Sequence, residues 1–332
     1  MTVEKIAVIG AGSWGTTLAD LLACKGYGVT LWAREPEVVA QITEKGENRA
    51  FLPGVKLSEK LVAVASLKEA LKESKFIVSV VPSHGVRGVF EEAVGFISND
   101  AIVVTATKGI EEGTLLTPSS ILKEVLSGKV EIAALSGPSF AKEVSKKLPT
   151  AVSVASASEG AMKRAQETFS TPYFRVYTNK DIAGVELGGA LKNVIAIASG
   201  ISDGLGLGYN ARAALITRGL AETARLGAAM GADPATFSGL SGLGDLVLTC
   251  TAPLSRNYTV GFKIGGGMKH REVVEGMKMV AEGVKTTAAA RALSLEKGID
   301  MPITEAVYSI LYEDKPPEEA VYELMTRGLK GE

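Results

Sequence analysis

The sequence is poor in cysteine and histidine, on which many redox, metal and nucleophile sites depend. Only Cys24 and Cys250 occur among 332 residues. Two cysteines are too few for a disulfide framework and are typical of a reducing compartment. The histidines are limited to His84 and His270, so neither a histidine-based triad nor a histidine-rich metal site is expected. The composition therefore predicts a cytoplasmic protein without a metal cofactor.

The chain also lacks an excess of charge of either sign. It has 36 Lys and Arg against 37 Asp and Glu, a formal net charge of -1, whereas a dedicated nucleic-acid binder carries a basic excess. No apolar run approaches the ~20 residues of a membrane span, and the N-terminus has a charged strand pattern instead of a signal peptide. We therefore expect no nucleic-acid partner and no membrane insertion.

Glycine, in contrast, is abundant, and its most informative cluster follows the first apolar run. Lys5–Ile9 has the composition of a strand, Gly10–Gly15 reads G-A-G-S-W-G, and an apolar helical pattern continues beyond it. In this context Gly10 makes the turn, Gly12 lets the backbone approach a pyrophosphate, and Gly15 lets the helix pack on the strand. The helix N-terminus then faces the anion. This predicts a dinucleotide site, and a tight turn without a ligand is the alternative.

The next predicted strand, Gly28–Ala33, is followed by Arg34 and Glu35. An acidic residue at this strand end favours NAD through the ribose hydroxyl, whereas an arginine suits the 2′-phosphate of NADP. Because Arg34 occupies the selecting position, the sequence slightly favours NADP over NAD. A solvated surface arginine is the alternative.

Runs typical of strands then alternate with helical patterns, which predicts a parallel sheet with helices on both faces. Ligands bind such sheets at the carboxyl ends of the strands, where Lys108, Gly137, Ser139 and Ala141 fall. Lys108 is suited to hold an anionic or polarised oxygen, and His84 is interpreted as a loop residue near the cofactor. The predicted strands are Leu61–Ala65, Phe76–Val81, Ala101–Thr105, Ile132–Leu135, Ala151–Ala155 and Phe174–Tyr177.

The composition becomes helical after this point, and 332 residues exceed what one core usually holds. We predict a dinucleotide-binding domain at residues 1–178 and a helical substrate-binding and catalytic domain at residues 179–332.

An apolar helix predicted around residues 185–198 carries Lys192 and Asn193. Lysine is rarely buried without a partner or a task, and burial lowers its pKa towards the range in which an amine both gives and takes a proton. Asp245 and Thr249 are four residues apart on another apolar segment, so a helix would place them on one inward face. We predict that Asp245 pairs with Lys192. The alternative is that Lys192 reaches the surface and that the nearby glycines only permit close packing.

Ser255, Arg256 and Asn257 form the best phosphate site in the second half, because arginine can engage a phosphate with two parallel hydrogen bonds. The alternative is a surface turn.

Taken together, these motifs resemble those of the bacterial-type NAD(P)-dependent glycerol-3-phosphate dehydrogenases, in the family's order over nearly the whole chain. The matching segments are Gly10–Thr16, Leu52–Gly54, Thr107–Gly109, Ser136–Ala141, Glu186–Asn193, Gly242–Asp245, Ser255–Asn257 and Ala281–Gly283.

The resemblance implies an α/β N-terminal Rossmann-type doubly wound sheet and an all-α C-terminal domain like that of 6-phosphogluconate dehydrogenase. It implies interconversion of dihydroxyacetone phosphate and sn-glycerol 3-phosphate, for phospholipid synthesis, by a cytoplasmic homodimer. Lys192 matches the general acid/base. Lys108, Gly137, Ser139, Asp245, Ser255, Arg256 and Asn257 match substrate contacts, beside Lys192 and Asn193. Ser13, Trp14, Arg34, Lys108, Ala141, Arg256, Val280 and Glu282 match cofactor contacts.

The expected mechanism places the substrate carbonyl between the nicotinamide and Lys192. Asp245 and Thr249 would set the protonation of the lysine, and Lys108 would stabilise charge on the oxygen. Two other functions compete with this one. A reductase of the same plan would act on a hydroxy acid or a hydroxyacyl thioester, and a regulator would sense the nucleotide without turnover.

Overall fold

The computed structural model describes residues 4–276, 281–329 and 331, and the chain divides into two compact units. The first unit comprises Met1–Lys108 and Thr117–Glu186, and the second comprises Gly109–Leu116 and Leu187–Glu332. The division thus falls at Glu186, and a short internal segment belongs to the second unit. The functional boundary predicted after residue 178 stays a prediction.

An eight-stranded sheet forms the centre of the first unit, with the strand order β3-β2-β1-β4-β5-β6-β7-β8. Residues 6–9 of the first strand are completely buried, which requires cover on both faces of the sheet and explains the nearly continuous apolar runs. The strands are β1 Lys5–Ile9, β2 Gly28–Trp32, β3 Leu61–Val64, β4 Phe76–Ser79, β5 Ile102–Thr105, β6 Glu131–Ser136, β7 Thr150–Ala155 and β8 Phe174–Asn179.

Neighbouring strands are parallel except for β6 and β7, which are antiparallel. The sheet is therefore parallel-dominated and not wholly parallel as the alternation predicted. An antiparallel partner needs no long crossover, and only the one-turn helix Ala141–Val144 lies between these two strands. The strand order reverses direction between β1 and β4, which is the point where doubly wound sheets bind ligands. The predicted Rossmann-type sheet is confirmed.

In the described residues of the first unit, seven α-helices accompany the strands. Apolar side chains of the first helix, such as Leu18 and Leu22, share one core with Ile6 and Val8 of β1. The helices are α1 Ser13–Lys25, α2 Pro36–Lys45, α3 Leu67–Leu71, α4 Val86–Ala93, α5 Pro118–Val125, α6 Ala141–Val144 and α7 Glu159–Phe169.

The remaining helices confirm the predicted helical second half. They are α8 Ile182–Gly204, which begins in the first unit, α9 Gly208–Ala229, α10 Asp245–Thr251, α11 Arg256–Gly265, α12 His270–Glu275, α13 Glu282–Lys297, α14 Pro302–Tyr312 and α15 Pro317–Met325.

Helix α8 is long and apolar enough to cross a membrane by length and composition, which the sequence did not lead us to expect. In an 18-residue window, however, 89% of its residues are buried within the protein. An apolar helix that is covered on all sides is a core helix.

Helices α8 and α11 are in backbone-to-backbone contact along their length. A Cβ atom on Gly261 would lie 2.0 Å from the carbonyl oxygen of Ile197, and one on Gly265 would lie 2.3 Å from that of Ile201. Both helices therefore run in the same direction, and each contact repeats after four residues, along the i, i+4 ridge of a helix. Glycine is required at such positions because any side chain would separate the backbones.

Candidate active site

The glycine-rich turn between β1 and α1 has three glycines in three different environments. Gly10 has φ +115°, a conformation that favours glycine, and a Cβ on Gly15 would lie 1.9 Å from the carbonyl oxygen of Gly10. Around Gly12, no heavy atom of the described residues outside its immediate neighbours lies within 4 Å of where a Cβ would be. The second glycine therefore leaves room for a ligand to approach the backbone.

Helix α1 begins at this opening without a side-chain cap on Gly12. The first amide groups of a helix, here those of Ser13, Trp14 and Gly15, have no carbonyl partner within the helix. Together with the helix dipole they attract an anion such as a pyrophosphate.

Arg34 follows β2 and keeps 82% of its side chain exposed. Its guanidinium pairs with Glu35 at 3.2 Å. An exposed ion pair of this kind contributes little stability, so a ligand phosphate can compete with Glu35 for the arginine.

Three predicted residues meet at the carboxyl ends of β5 and β6. Lys108 Nζ donates a hydrogen bond of 3.1 Å to the carbonyl oxygen of Gly137, and Ser139 Oγ donates one of 2.9 Å to the same oxygen. Ala141 begins α6, and its carbonyl oxygen accepts a 3.3 Å hydrogen bond from Thr17 of α1. His84 lies exposed in the 3₁₀ turn Ser83–Gly85.

A buried charge cluster occupies the second unit, where α8 meets α10. Lys192, Asp245 and Thr249 are exposed by only 7%, 0% and 3%. Lys192 Nζ donates hydrogen bonds to a carboxylate oxygen of Asp245 and, at 2.9 Å, to Thr249 Oγ1. Thr249 Oγ1 in turn donates to the carbonyl oxygen of Asp245 at 2.6 Å. The lysine that the sequence singled out is therefore buried and paired with the predicted aspartate.

Cys250 lies next to this cluster without joining it. Burial raises the pKa of its thiol to about 12, so it stays protonated near neutral pH. The thiol is therefore an inert packing group.

Asn193 and Asn257 join α8 to α11. Asn257 Nδ2 donates a 2.8 Å hydrogen bond to Asn193 Oδ1, and Asn257 Oδ1 accepts one of 3.0 Å from the backbone amide of Gly283 in α13. The pair is 64 residues apart in sequence, as are Ile197 with Gly261 and Ile201 with Gly265. The two asparagines therefore continue the register of the glycine contacts.

Ser255 and Arg256 lie at the start of α11. Ser255 Oγ caps the helix by accepting a 3.2 Å hydrogen bond from the backbone amide of Tyr258. Arg256 is exposed, although partial burial of its guanidinium lowers its pKa, an effect that the carboxylate of Glu282 partly offsets. The helix start thus presents a cation and backbone amides, which suits a phosphate.

Both halves of the chain match a known family. The model of the NAD-dependent glycerol-3-phosphate dehydrogenase N-terminus matches residues 5–162, and the model of the C-terminus matches residues 181–322. The chain belongs to this family.

Similar proteins agree over the full length. Two proteins named glycerol-3-phosphate dehydrogenase (NAD(P)+) are 59% and 58% identical to this chain over 331 residues, from Citrifermentans bemidjiense and Geobacter metallireducens, and each match covers 99% of both chains. The crystal structure of glycerol-3-phosphate dehydrogenase from Coxiella burnetii is 44% identical with a TM-score of 0.95, covering 98% of this chain and 99% of that one. The family resemblance inferred from the motifs is confirmed, and with it dependence on NAD(P).

In this chain, the geometry brings most of the predicted site residues together in four sets. Their roles in binding the cofactor and the substrate stay predictions. Val280 lies outside the described residues. The sets are Gly10, Gly12, Ser13, Trp14 and Gly15; Lys108, Gly137 and Ser139; Lys192, Asp245 and Thr249; and Asn193, Ser255, Arg256, Asn257 and Glu282.

One buried polar residue beside the glycine-rich turn was missed. Asn48 donates hydrogen bonds to the carbonyl oxygen of Ala11 at 2.9 Å and to Thr16 Oγ1 at 2.8 Å. Asn48 lies in an irregular segment rich in turn-forming residues, and nothing in its sequence context indicates that it reaches the turn.

Proposed function

We propose that this chain interconverts dihydroxyacetone phosphate and sn-glycerol 3-phosphate by hydride transfer with NAD(P)H. The observation that carries the proposal is the buried Lys192–Asp245–Thr249 cluster in a member of this family. A buried lysine paired with a carboxylate is suited to exchange a proton with a reacting oxygen.

The first unit fits a dinucleotide. The open space at Gly12 and the uncapped start of α1 suit a pyrophosphate, and the exposed Arg34 suits a 2′-phosphate, so NADP is slightly favoured over NAD. Gly10 and Gly15 shape the turn, and Ala141 and Glu282 are further proposed contacts. When bound, the cofactor supplies hydride to the reacting carbon or accepts it from that carbon.

The residues of the second unit would manage the proton and the phosphate. Lys192 gives a proton to the substrate oxygen in the reductive direction and takes the hydroxyl proton in the other. Asp245 stabilises the ammonium form, and Thr249 fixes the direction of the amine. Lys108, held by the carbonyl of Gly137, would stabilise negative charge on the oxygen.

The phosphate would bind at the start of α11. Arg256 provides a planar pair of donors, and Ser255 fixes the first turn. The side chain of Asn257 already bonds Asn193 and Gly283, so its contribution to the phosphate would come from its backbone amide at the helix start.

The test is oxidation of NADPH and NADH by the purified protein with dihydroxyacetone phosphate, beside unphosphorylated dihydroxyacetone. We expect turnover that requires the phosphate. Tight cofactor binding without oxidation would leave the cofactor site standing and overturn the substrate. If NADPH or NADH is oxidised only with the carbonyl precursor of a hydroxy acid or of a hydroxyacyl thioester, the chain belongs to another branch of reductases.

We further propose a cytoplasmic homodimer that supplies glycerol 3-phosphate for phospholipid synthesis. The family resemblance and the low cysteine content support this assignment. Light scattering of the purified protein tests the dimer, and loss of phospholipid synthesis on depletion of the protein tests the role.

A further inference from the structure

Asn48 is a completely buried polar side chain beside the glycine-rich turn, with a relative exposure of 0%. Its Nδ2 donates to the carbonyl oxygen of Ala11 and to Thr16 Oγ1, and its Oδ1 accepts a 3.1 Å hydrogen bond from the backbone amide of Phe51. Both donors of the carboxamide and its acceptor are therefore engaged. A carboxamide is favourable in an apolar core only when it is satisfied in this way.

The carbonyl of Ala11 is the group that this side chain holds. Ala11 lies between Gly10 and Gly12, and its oxygen accepts a second hydrogen bond, of 3.2 Å, from Thr16 Oγ1. A peptide unit is planar and trans, so its C=O and the N–H of the next residue point in opposite directions. Fixing the Ala11 oxygen towards the protein interior therefore turns the amide of Gly12 away from the interior.

The residues around Asn48 make this contact rigid. Leu52 donates a backbone hydrogen bond of 2.8 Å to the carbonyl oxygen of Asn48, so the segment folds back on itself at this residue. Thr16, one turn into α1, bonds both Asn48 and Ala11. The turn, the helix and the segment after α2 are thereby held in one arrangement.

We propose that Asn48 is a positioning residue for cofactor binding, which orients the Gly12 amide towards the pyrophosphate. The inference rests on the proposed cofactor site and adds a residue that does not touch the ligand. Asparagine is required because two donors and one acceptor must act from one planar group. Aspartate has the same shape but would place an oxygen against the oxygen of Ala11.

The experiment measures binding of ADP-ribose, which carries the pyrophosphate, and of adenosine, which lacks it. Asn48→Asp weakens ADP-ribose and NADPH by about 10- to 100-fold, the loss of one hydrogen bond to a charged group. Adenosine binding, the KM for dihydroxyacetone phosphate and kcat at saturating cofactor change by less than about 3-fold. Thr16→Val weakens ADP-ribose to a smaller degree, and Thr16→Ser, which keeps the hydroxyl, restores it.

Asn99→Asp is the matched control, because it makes the same charge change at an exposed asparagine of the same unit. It leaves ADP-ribose binding unchanged. If Asn48→Asp does not fold, Thr16→Val decides the question. Unchanged ADP-ribose affinity in folded variants, or an equal loss for ADP-ribose and adenosine, overturns the proposal. Binding needs no turnover, so inactivity of the unaltered enzyme towards dihydroxyacetone phosphate would refute only the proposed reaction.

Discussion

Lys192 and Asp245 are both buried, so each charge depends on the other. Replacing Lys192 by Met fills similar space without a charge and leaves the carboxylate of Asp245 uncompensated. We expect a loss of about 3–5 kcal/mol in the free energy of unfolding. We expect turnover to fall by at least about 10²- to 10⁴-fold, because the proton donor is removed. Denaturant unfolding and NADPH oxidation measure the two effects.

A second substitution separates stability from chemistry. Lys192→Met combined with Asp245→Asn removes the unpaired charge, so it recovers much of the stability and none of the turnover. Cofactor binding should persist in both variants, because the glycine-rich turn belongs to the first unit. Appreciable turnover by a folded Lys192→Met protein would remove the lysine from the mechanism.

Arg256 should strengthen binding of the phosphorylated substrate. Arg256→Ala is expected to raise the KM for dihydroxyacetone phosphate by about 10- to 100-fold, the worth of a charged hydrogen bond pair. Arg256→Lys keeps the charge without the planar fork, so its KM should lie between those of the unaltered protein and Arg256→Ala. The exposed Arg271 provides the control, since Arg271→Ala should leave the KM unchanged. An unaltered KM in Arg256→Ala would place the phosphate elsewhere.

The contacts of a single residue were predictable from sequence where an isolated charge lies among apolar residues and so needs a partner. Lys192 and Asp245 stand among apolar neighbours, and burial of either requires the other. Ser255 caps α11 through the amide of Tyr258, a local contact that the preference for serine at helix starts could have indicated. The bridging role of Asn257 was not predictable, because it depends on neighbours that only folding brings together. Asn48 was missed for the same reason, since its partners lie 37 and 32 positions away in the chain.

Among the elements, the contact between α8 and α11 tolerates little added volume. In Gly261→Ala the new methyl group would lie 2.0 Å from the carbonyl oxygen of Ile197, so the helices must separate. We expect a loss of about 3 kcal/mol or more in the free energy of unfolding. The control is Gly88→Ala in α4, where the described residues leave the Cβ position open within 4 Å. Alanine there should stabilise by up to ~1 kcal/mol, and similar behaviour of both variants would contradict the packing argument.

Helix α14 begins against a buried acid on α9, which gives the fold a pH dependence. Glu222 accepts backbone hydrogen bonds from Ile303 at 2.7 Å and Thr304 at 3.2 Å. Burial raises its pKa to about 7 from an ordinary 4.5, more than these hydrogen bonds lower it. The folded state therefore keeps a proton that the unfolded chain releases between these pH values. The free energy of unfolding should fall as the pH rises through that window.

The matching variant is Glu222→Gln, which cannot ionise. Between pH 5 and pH 8 the unaltered protein should lose on the order of 3 kcal/mol of unfolding free energy relative to this variant. Thermal unfolding across the range measures the difference. Glu44→Gln, at an exposed position of α2, should run parallel to the unaltered protein, and a parallel curve for Glu222→Gln would contradict the prediction.

Strands and helices were predicted well where burial repeats along the chain. The apolar runs located all eight strands, although the predicted ends differ from the observed ones by one or two residues. The residues at a strand end can be extended both in the strand and in the adjoining loop, so the sequence does not mark the end sharply. The direction of β7 was not predictable, since a buried strand has the same apolar composition in a parallel or an antiparallel pair.

For the molecule as a whole, the sequence indicated two parts but not that each uses two stretches of chain. The composition changes once, near residue 178, and therefore suggests a single domain boundary. The segment Gly109–Leu116 leaves the first unit between β5 and α5 and belongs to the second, where Ile110 is 1% exposed. A few apolar residues in a short loop carry no sign of which unit the loop belongs to.

The common register of α8 and α11 limits how the length of this chain can vary in its descendants. Asn193, Ile197 and Ile201 meet Asn257, Gly261 and Gly265 at fixed intervals of four residues. One residue inserted into α8 between Asn193 and Ile197 would turn everything before it by about 100° and advance it by about 1.5 Å, so the asparagines would no longer meet. Insertions and deletions should therefore accumulate in loops, while the spacing of four residues between successive contacts along each helix is inherited unchanged.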